Sequence, residues 1–514
     1  MLQYHYTSPE IANSRIGTKK VGADSIYHIA SISKLITAFA GLLELTDADW
    51  NRPLIDILPG LTPTSSGEND SVFFYQWHKI TLWSLATQLS GITSLGIAGA
   101  DLLPLHLLGE VPDPVTTYGF PPVNISNYGP CWDIKTPLCA NDQDFAAEVS
   151  RQPPVFLPWS SPEYSDAGFM LLGLAISKIT GKSIDAVYRD SIFGPLGMNS
   201  SYSRPPTGDA EIARGVVPGS FEETFGSDGG ITTPSGGLIS TLEDLAKLGV
   251  GILNSTLYPS DLTRKWMKPV THTASLSYSI GAPWEIIRYV HPSTGKVTDL
   301  YTKLGDSGFY GGSLVLIPDY GAGFTMLNAG SSANRGTEGN VILDYVSSAV
   351  IPALEAQAST EAIRNLAGKY VSTDPEINSS AIVSFDESTV AGAAPSLSLS
   401  SWITNNNDTL ALFDGSKPRL LPSIRNQSSG AGYVAFRASS NVQFDQYTAT
   451  SKVGIGPFTR EYATNFDWMT ADANSGSWHY ARLAVNLFVF EVDERGKAVS
   501  FIPVSTRAKL KREV

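Results

Sequence analysis

The run "YHIASISKLITAFAGLLEL", residues 27–45, constrains this chain more than any other segment. Its apolar residues predict a buried helix, which other elements must cover. Yet the run opens with Ser31 and carries Lys34 one turn later. A lysine in an apolar helix costs free energy unless it is paired or snorkels to water. Residues three apart on a helix are also neighbours in space. Two readings follow: Ser31 caps the helix while Lys34 snorkels, or Ser31 is a nucleophile lying against its base. By itself the motif favours the first. A second Ser-x-x-Lys, Ser293 to Lys296 in "HPSTGK", reads as a turn and shows how little the bare spacing is worth.

With 514 residues, 42% of them hydrophobic and 17% charged, the chain is globular and long enough for two domains or three. Its net charge of −13 argues against nucleic acid or an anionic membrane as partner. No window reaches the apolar length of a membrane span. The two cysteines, Cys131 and Cys139, fall in the loop-like "YGPCWDIKTPLCAND", and with scattered histidines they supply no metal-ligand pattern. A local disulfide between them is expected, and no metal or cofactor. Glycosylation sequons at Asn69, Asn124, Asn199, Asn254, Asn378, Asn407 and Asn426 join the cysteine pair in pointing to a secretory compartment. The start, "MLQYHYTSPE", is no signal peptide, so either a leader has been removed or the protein is cytoplasmic.

Residues 1–30 read as a strand pair, "LQYHYT" and "SIYHIA". After the 27–45 helix, "ITLWSLATQLSGI" reads as another, and residues 98–158 are irregular and rich in Pro, Gly, Asn and aromatics, as a functional loop or lid would be. "SDAGFMLLGLAISKITGK" is a strong helix ending near Gly181. "GGLISTLEDLAKLG" offers Ser240 or Thr241 as cap, with Glu243 or Asp244 closing a capping box. Strands follow in "WEIIRYV", "GGSLVLIPD" and "AGFTMLN", then a helix in "GNVILDYVSSAVIPALEAQAS". From about residue 358 alternating runs such as "RLAVNLFVFEVDE" indicate a separate β-rich domain, giving domains 1–357 and 358–514.

Two further stretches change the weight of Ser31. "PWSSPEYSDAGFMLLG" sets Tyr164-Ser165-Asp166 just before a helix, and "DLYTKLGDSGFYGGSLVLIPDYG" sets Lys303-Leu304-Gly305 before strands. Ser-x-x-Lys, then Tyr-x-Asp, then Lys-x-Gly, in that order, resembles the serine β-lactamase and penicillin-binding-protein superfamily. The tyrosine motif is most similar to the class C and family VIII esterase branch, and the whole pattern to fungal secreted members with an extra C-terminal β domain. The resemblance spans about residues 20–350. Tyr6, Tyr258 and Lys452 begin motif-like triplets too, without the flanking helix or strand.

The resemblance implies an α/β (α+β) fold, an antiparallel sheet flanked by helices with a mainly helical subdomain, followed here by the β-rich domain. It implies Ser31, Lys34, Tyr164 and Lys303 as the catalytic set. The backbone N–H groups of Ser31 and Asp306 would form the oxyanion hole, with Asp166, Leu304 and Gly305 at the substrate. Tyr164 would serve as base once the cations Lys34 and Lys303 lower its pKa from near ~10. Lys34, desolvated in the helix, is itself a possible proton acceptor. Family members usually carry a Thr or Ser where this chain has Leu304, an Asn where it has Asp166, and more chain before the first strand. Two added carboxylates and a lost hydroxyl argue against anionic substrates such as β-lactams. The expected function is therefore a serine hydrolase or transacylase on an ester or lactone of a small molecule. The alternatives are amide chemistry, as in a D-amino-acid peptidase, a β-lactamase or a cyclising acyltransferase, and a silent binding protein that keeps the fold.

Overall fold

The computed structural model describes residues 2–58, 60–61, 70–94, 102–107, 109, 111–124, 139, 142–292, 297–374, 376–387, 395–413, 417–427, 432–439 and 479–513. The Cys131–Cys139 pairing, the Ser293 triplet, Lys452 and much of the 98–158 stretch lie outside these residues. By internal contacts the chain divides into two compact units, residues 1–289 with 297–347, and residues 290–296 with 348–514.

In the first unit, β1 (Ile26–His28) pairs antiparallel with β2 (Ile239–Thr241), far away in sequence. "LQYHYT" forms no strand. Residues 2–8 join no strand, and the short helix Pro9–Ala12 follows, capped by the Ser8 side chain. An alternating run becomes a strand only when an edge is available, and here β1 is bonded by β2 on one side and by the backbone of Arg214 and Val216 on the other. The central helix α1 (Ile32–Glu44) is buried along ten successive residues from Ile32 to Gly41. It packs with α2 (Asp166–Thr180), whose Phe169, Met170, Leu171 and Leu172 join Leu35, Ile36 and Phe39 in one core. The ring of Phe39 stacks on Trp266 at 5.2 Å. "ITLWSLATQLSGI" yields only the five-residue helix Leu82–Ala86, closed at its start by a Thr81–Ser84 capping box.

Thr241 caps α3 (Leu242–Leu253), accepting from the Asp244 N–H. The Asp244 carboxylate does not return to the cap as expected. It accepts instead from the Ser200 N–H and the Ser201 hydroxyl, at 2.8 and 3.0 Å. Strands β3 (Thr271–His272), β4 (Tyr278–Ile280), β5 (Glu285–Val290), β6 (Val297–Asp306), β7 (Tyr310–Ile317) and β8 (Ala322–Ala329) lie side by side in sequence order. Antiparallel ladders join β3 to β4 to β5 and β6 to β7 to β8. Strand β7 is buried at all eight positions and β6 at its centre, which places Lys303 in the interior. Helix α4 (Arg335–Leu366) begins in the first unit and ends in the second.

The second unit is an antiparallel sheet closed on itself. Strand Ser380–Asp386 pairs with Gly368–Ser372 on one side and with Ser396–Thr404 on the other, which joins the two ends of the strand order into a barrel. Its interior is aromatic, with Phe488 stacked on Phe501 at 5.5 Å and edge-on to Trp402 at 5.1 Å. Closure removes the exposed edges that a sheet of this length would otherwise present. Among the described residues, no single helix is long and apolar enough to cross a membrane, and no three His, Cys, Asp or Glu side chains cluster as a metal site would require.

Candidate active site

Ser31 stands at the N-cap of α1, but its side chain makes no capping hydrogen bond. The capping reading therefore fails, and the hydroxyl is free for other partners. Tyr164 donates its phenolic O–H to Ser31 Oγ at 2.7 Å. Lys34 Nζ lies 3.1 Å from the same oxygen. The snorkelling reading fails with it, because Lys34 is fully buried. Its ammonium meets the Asp166 carboxylate, and at 2.7 Å the carbonyl oxygen of Ser235. Such pairing is what makes a charge in this core tolerable.

The other motifs converge on this point. Ser165 caps α2 through the Gly168 N–H, so the tyrosine motif sits where the chain turns into that helix. Nζ of Lys303, itself buried, is 5.4 Å from the centroid of the Tyr164 ring, and Nζ of Lys34 is 4.7 Å away. Gly305 is required by a close approach: a Cβ there would stand 2.6 Å from the Ile29 carbonyl oxygen and 3.1 Å from the Ser31 nitrogen. Strand β6 thus passes against the backbone that carries the serine. Ser307 donates to the Tyr310 carbonyl at 2.9 Å. Alternation in the ladder then turns the Asp306 N–H away from β7, to the side where the Leu304 N–H meets Glu285 Oε2 at 2.8 Å.

Electrostatics correct one expectation. Burial pulls Lys34 down to about 8, against the Asp166 carboxylate, which raises it, while the Lys303 cation adds to the lowering. Tyr164, by contrast, is pushed up, by burial first and by Asp166 next, with the Ser31 contact opposing. Each of the two lysines is matched by a carboxylate. Lys34 holds Asp166, and Lys303 holds Glu285 at 2.5 Å. Near neutral pH this site offers an easily neutralised amine and a phenol that keeps its proton.

A cavity of about 340 Å³ opens onto Ser31, Tyr164, Asp166, Lys303, Leu304, Gly305 and Asp306, so the motif residues other than Lys34 line one space. The cavity also exposes residues that no motif announced: Glu285, Asn328 and Arg335. Asp166 and Asp306 were expected as two unbalanced negative charges. Instead Asp166 pairs with Lys34 and Asp306 with Arg335. With Glu285 on Lys303, three carboxylates match three cations. Glu285 left one trace in the sequence, a lone acid at the head of the apolar run "WEII". Ser235 acts through its backbone and left none.

Comparison with known proteins identifies the family. The sequence profile of the β-lactamase family matches residues 10–344. The chain belongs to the β-lactamase family. A second profile, described as a β-lactamase-like C-terminal domain, matches residues 358–514. Within the family, a β-lactamase-like protein of Arthroderma benhamiae is 32% identical over 373 residues, covering 72% of this chain and 58% of that one. The probable hydrolase clz13 of Cochliobolus lunatus is 26% identical over 433 residues, covering 80% and 66%. The chain thus spans less than two thirds of the length of either relative. A solved β-lactamase/D-alanine carboxypeptidase from Yersinia pestis aligns with a TM-score of 0.46 at 18% identity, covering 64% of this chain and 84% of that one.

Proposed function

We propose that this chain forms an acyl-enzyme on Ser31 and that its acyl donor is an uncharged small molecule, an ester or lactone. The observation that carries the reading is the state of Ser31 Oγ. It is uncapped at the head of a buried helix, with Tyr164 at 2.7 Å and Lys34 at 3.1 Å. In the proposed first step the neutral Lys34 amine takes the serine proton as Oγ attacks the carbonyl carbon. Negative charge grows on the carbonyl oxygen, beside the Ser31 and Asp306 N–H groups and the start of α1. Tyr164 then gives its proton to the leaving oxygen and regains one from the Lys34 ammonium. Water or an acceptor alcohol repeats the sequence on the acyl-enzyme.

Two features support an uncharged donor. Leu304 cannot donate to a substrate carboxylate, and the cations around the cavity are already matched by carboxylates. Amide cleavage is the second reading, because a phenol that keeps its proton suits a leaving nitrogen that must be protonated before it departs. A fluorophosphonate probe followed by peptide mass spectrometry tests the nucleophile, with the adduct expected on Ser31. Absence of labelling would leave the binding-protein alternative. Nitrophenyl acetate should give a burst that Ser31→Ala abolishes and that Tyr164→Phe slows by roughly 10²–10⁴. Rates over an ester, lactone, amide and penicillin panel decide the substrate class. Penicillin turnover as fast as ester cleavage would overturn the uncharged-donor reading.

A further inference from the structure

We infer that the Asp306 carboxylate fills, from within the chain, an anion-recognition position on Arg335, and that it thereby makes the cavity select against substrates carrying a carboxylate. The inference deepens the uncharged-donor reading and rests on it for the identity of the reacting site. Arg335 opens α4, is 5% exposed, and lines the same cavity as Ser31. Its Nε donates to the Gly308 carbonyl at 2.9 Å and its Nη1 to Asn328 Oδ1 at 2.8 Å. Nη2 meets the Asp306 carboxylate. Of these three partners only Asp306 is charged, so it alone among them neutralises the guanidinium.

The position is built for this cation. A Cβ on Gly311 would overlap Nη1 and Asn328 Oδ1, so the glycine leaves room for the guanidinium in this position. A buried guanidinium facing a cavity calls for an anion, and a substrate carboxylate would meet that need with two charge-assisted hydrogen bonds. Asp306 already meets it, held in place by the Gly308 N–H at 3.0 Å and more than half exposed itself. An incoming carboxylate must displace it or lie beside it, and like charges in one cavity repel. Leu304 adds no hydroxyl to compensate.

A purely structural role, tying the β6–β7 turn to α4, makes a different prediction. Loosening that tie should slow charged and neutral substrates alike, whereas a selectivity role changes their ratio. The test uses two nitrophenyl esters of adipic acid, identical except that the far carboxyl is free in one and methylated in the other. The wild-type enzyme should favour the methyl ester in kcat/KM. Asp306→Asn keeps an acceptor for Arg335 but removes the charge. It should move the ratio towards the free acid by about tenfold or more, whatever happens to the absolute rates. Adding Arg335→Gln should cancel that gain. Asp306→Ser serves as a second variant if the first does not fold.

Calorimetric titration with adipate reads the same position without turnover. Its affinity should rise about tenfold in Asp306→Asn relative to wild type, so failure of the hydrolase reading and failure of this one are separable. A wild-type preference for the free acid overturns the inference without any variant. So does a ratio and adipate affinity unchanged by both Asp306 substitutions, or a gain that survives Arg335→Gln.

Discussion

At the scale of single residues, Lys34 sets the expected pH dependence. Its amine accepts a proton only when neutral, and its pKa is drawn down to about 8 by burial. The neutral fraction therefore grows as pH rises, and kcat/KM should climb about tenfold per unit towards a plateau above that value. Asp166 raises the Lys34 pKa, so Asp166→Asn should move this rising limb to lower pH. Stopped-flow acylation of nitrophenyl acetate across pH 5 to 10 checks both, and a limb that moves upward would remove Lys34 from the proposed role. Ser31, Lys34, Tyr164 and Lys303 were legible because chain order and neighbouring residues marked them, and the structure brings them together. Their counter-charges were not all legible. Glu285 precedes Lys303 by eighteen positions in an unremarkable strand, and Arg335 follows Asp306 by twenty-nine. Ion pairs depend on distance in space, and without a motif a sequence does not show which acid faces which base.

At the scale of elements, two pieces of backbone position the chemistry: the first turn of α1 and the strand β6. They meet at Gly305, where any side chain would collide with the Ile29 carbonyl. Gly305→Ala should push β6 away from Ser31, costing roughly 1–3 kcal/mol of stability and most of the acylation rate. Urea unfolding and the nitrophenyl acetate burst measure the two effects, and full activity in this variant would show that the contact is not needed. Helix α1 was readable from its apolar run, and α2 from its cap and terminal glycine. Strand pairing was less so. "LQYHYT" has the alternation of a strand but joins no sheet, while the three residues of β1 find their partner more than two hundred positions later. Alternation reports a tendency to extend, and pairing is decided by what else reaches the edge.

At the scale of the whole molecule, net charge of −13 adds a field that the cavity does not cancel. Anionic substrates should gain in kcat/KM as salt rises from about 10 mM to 200 mM, through screening of that repulsion, while neutral esters should change little. Steady-state rates with the paired adipate esters check this, and an equal salt response for both would argue against it. Sequence by itself determined the family, the helix-and-sheet class with a β-rich C-terminal domain, and the residues that meet at Ser31, because motif order and periodicity are local properties of a chain. Only the tertiary structure decided how those residues are charged. It holds the Tyr164 phenol up where the sequence led one to expect a lowering, and it matched Asp166 and Asp306 with cations. The physical reason is that pKa values answer to burial and to charges a few ångströms away, and the fold alone sets those distances.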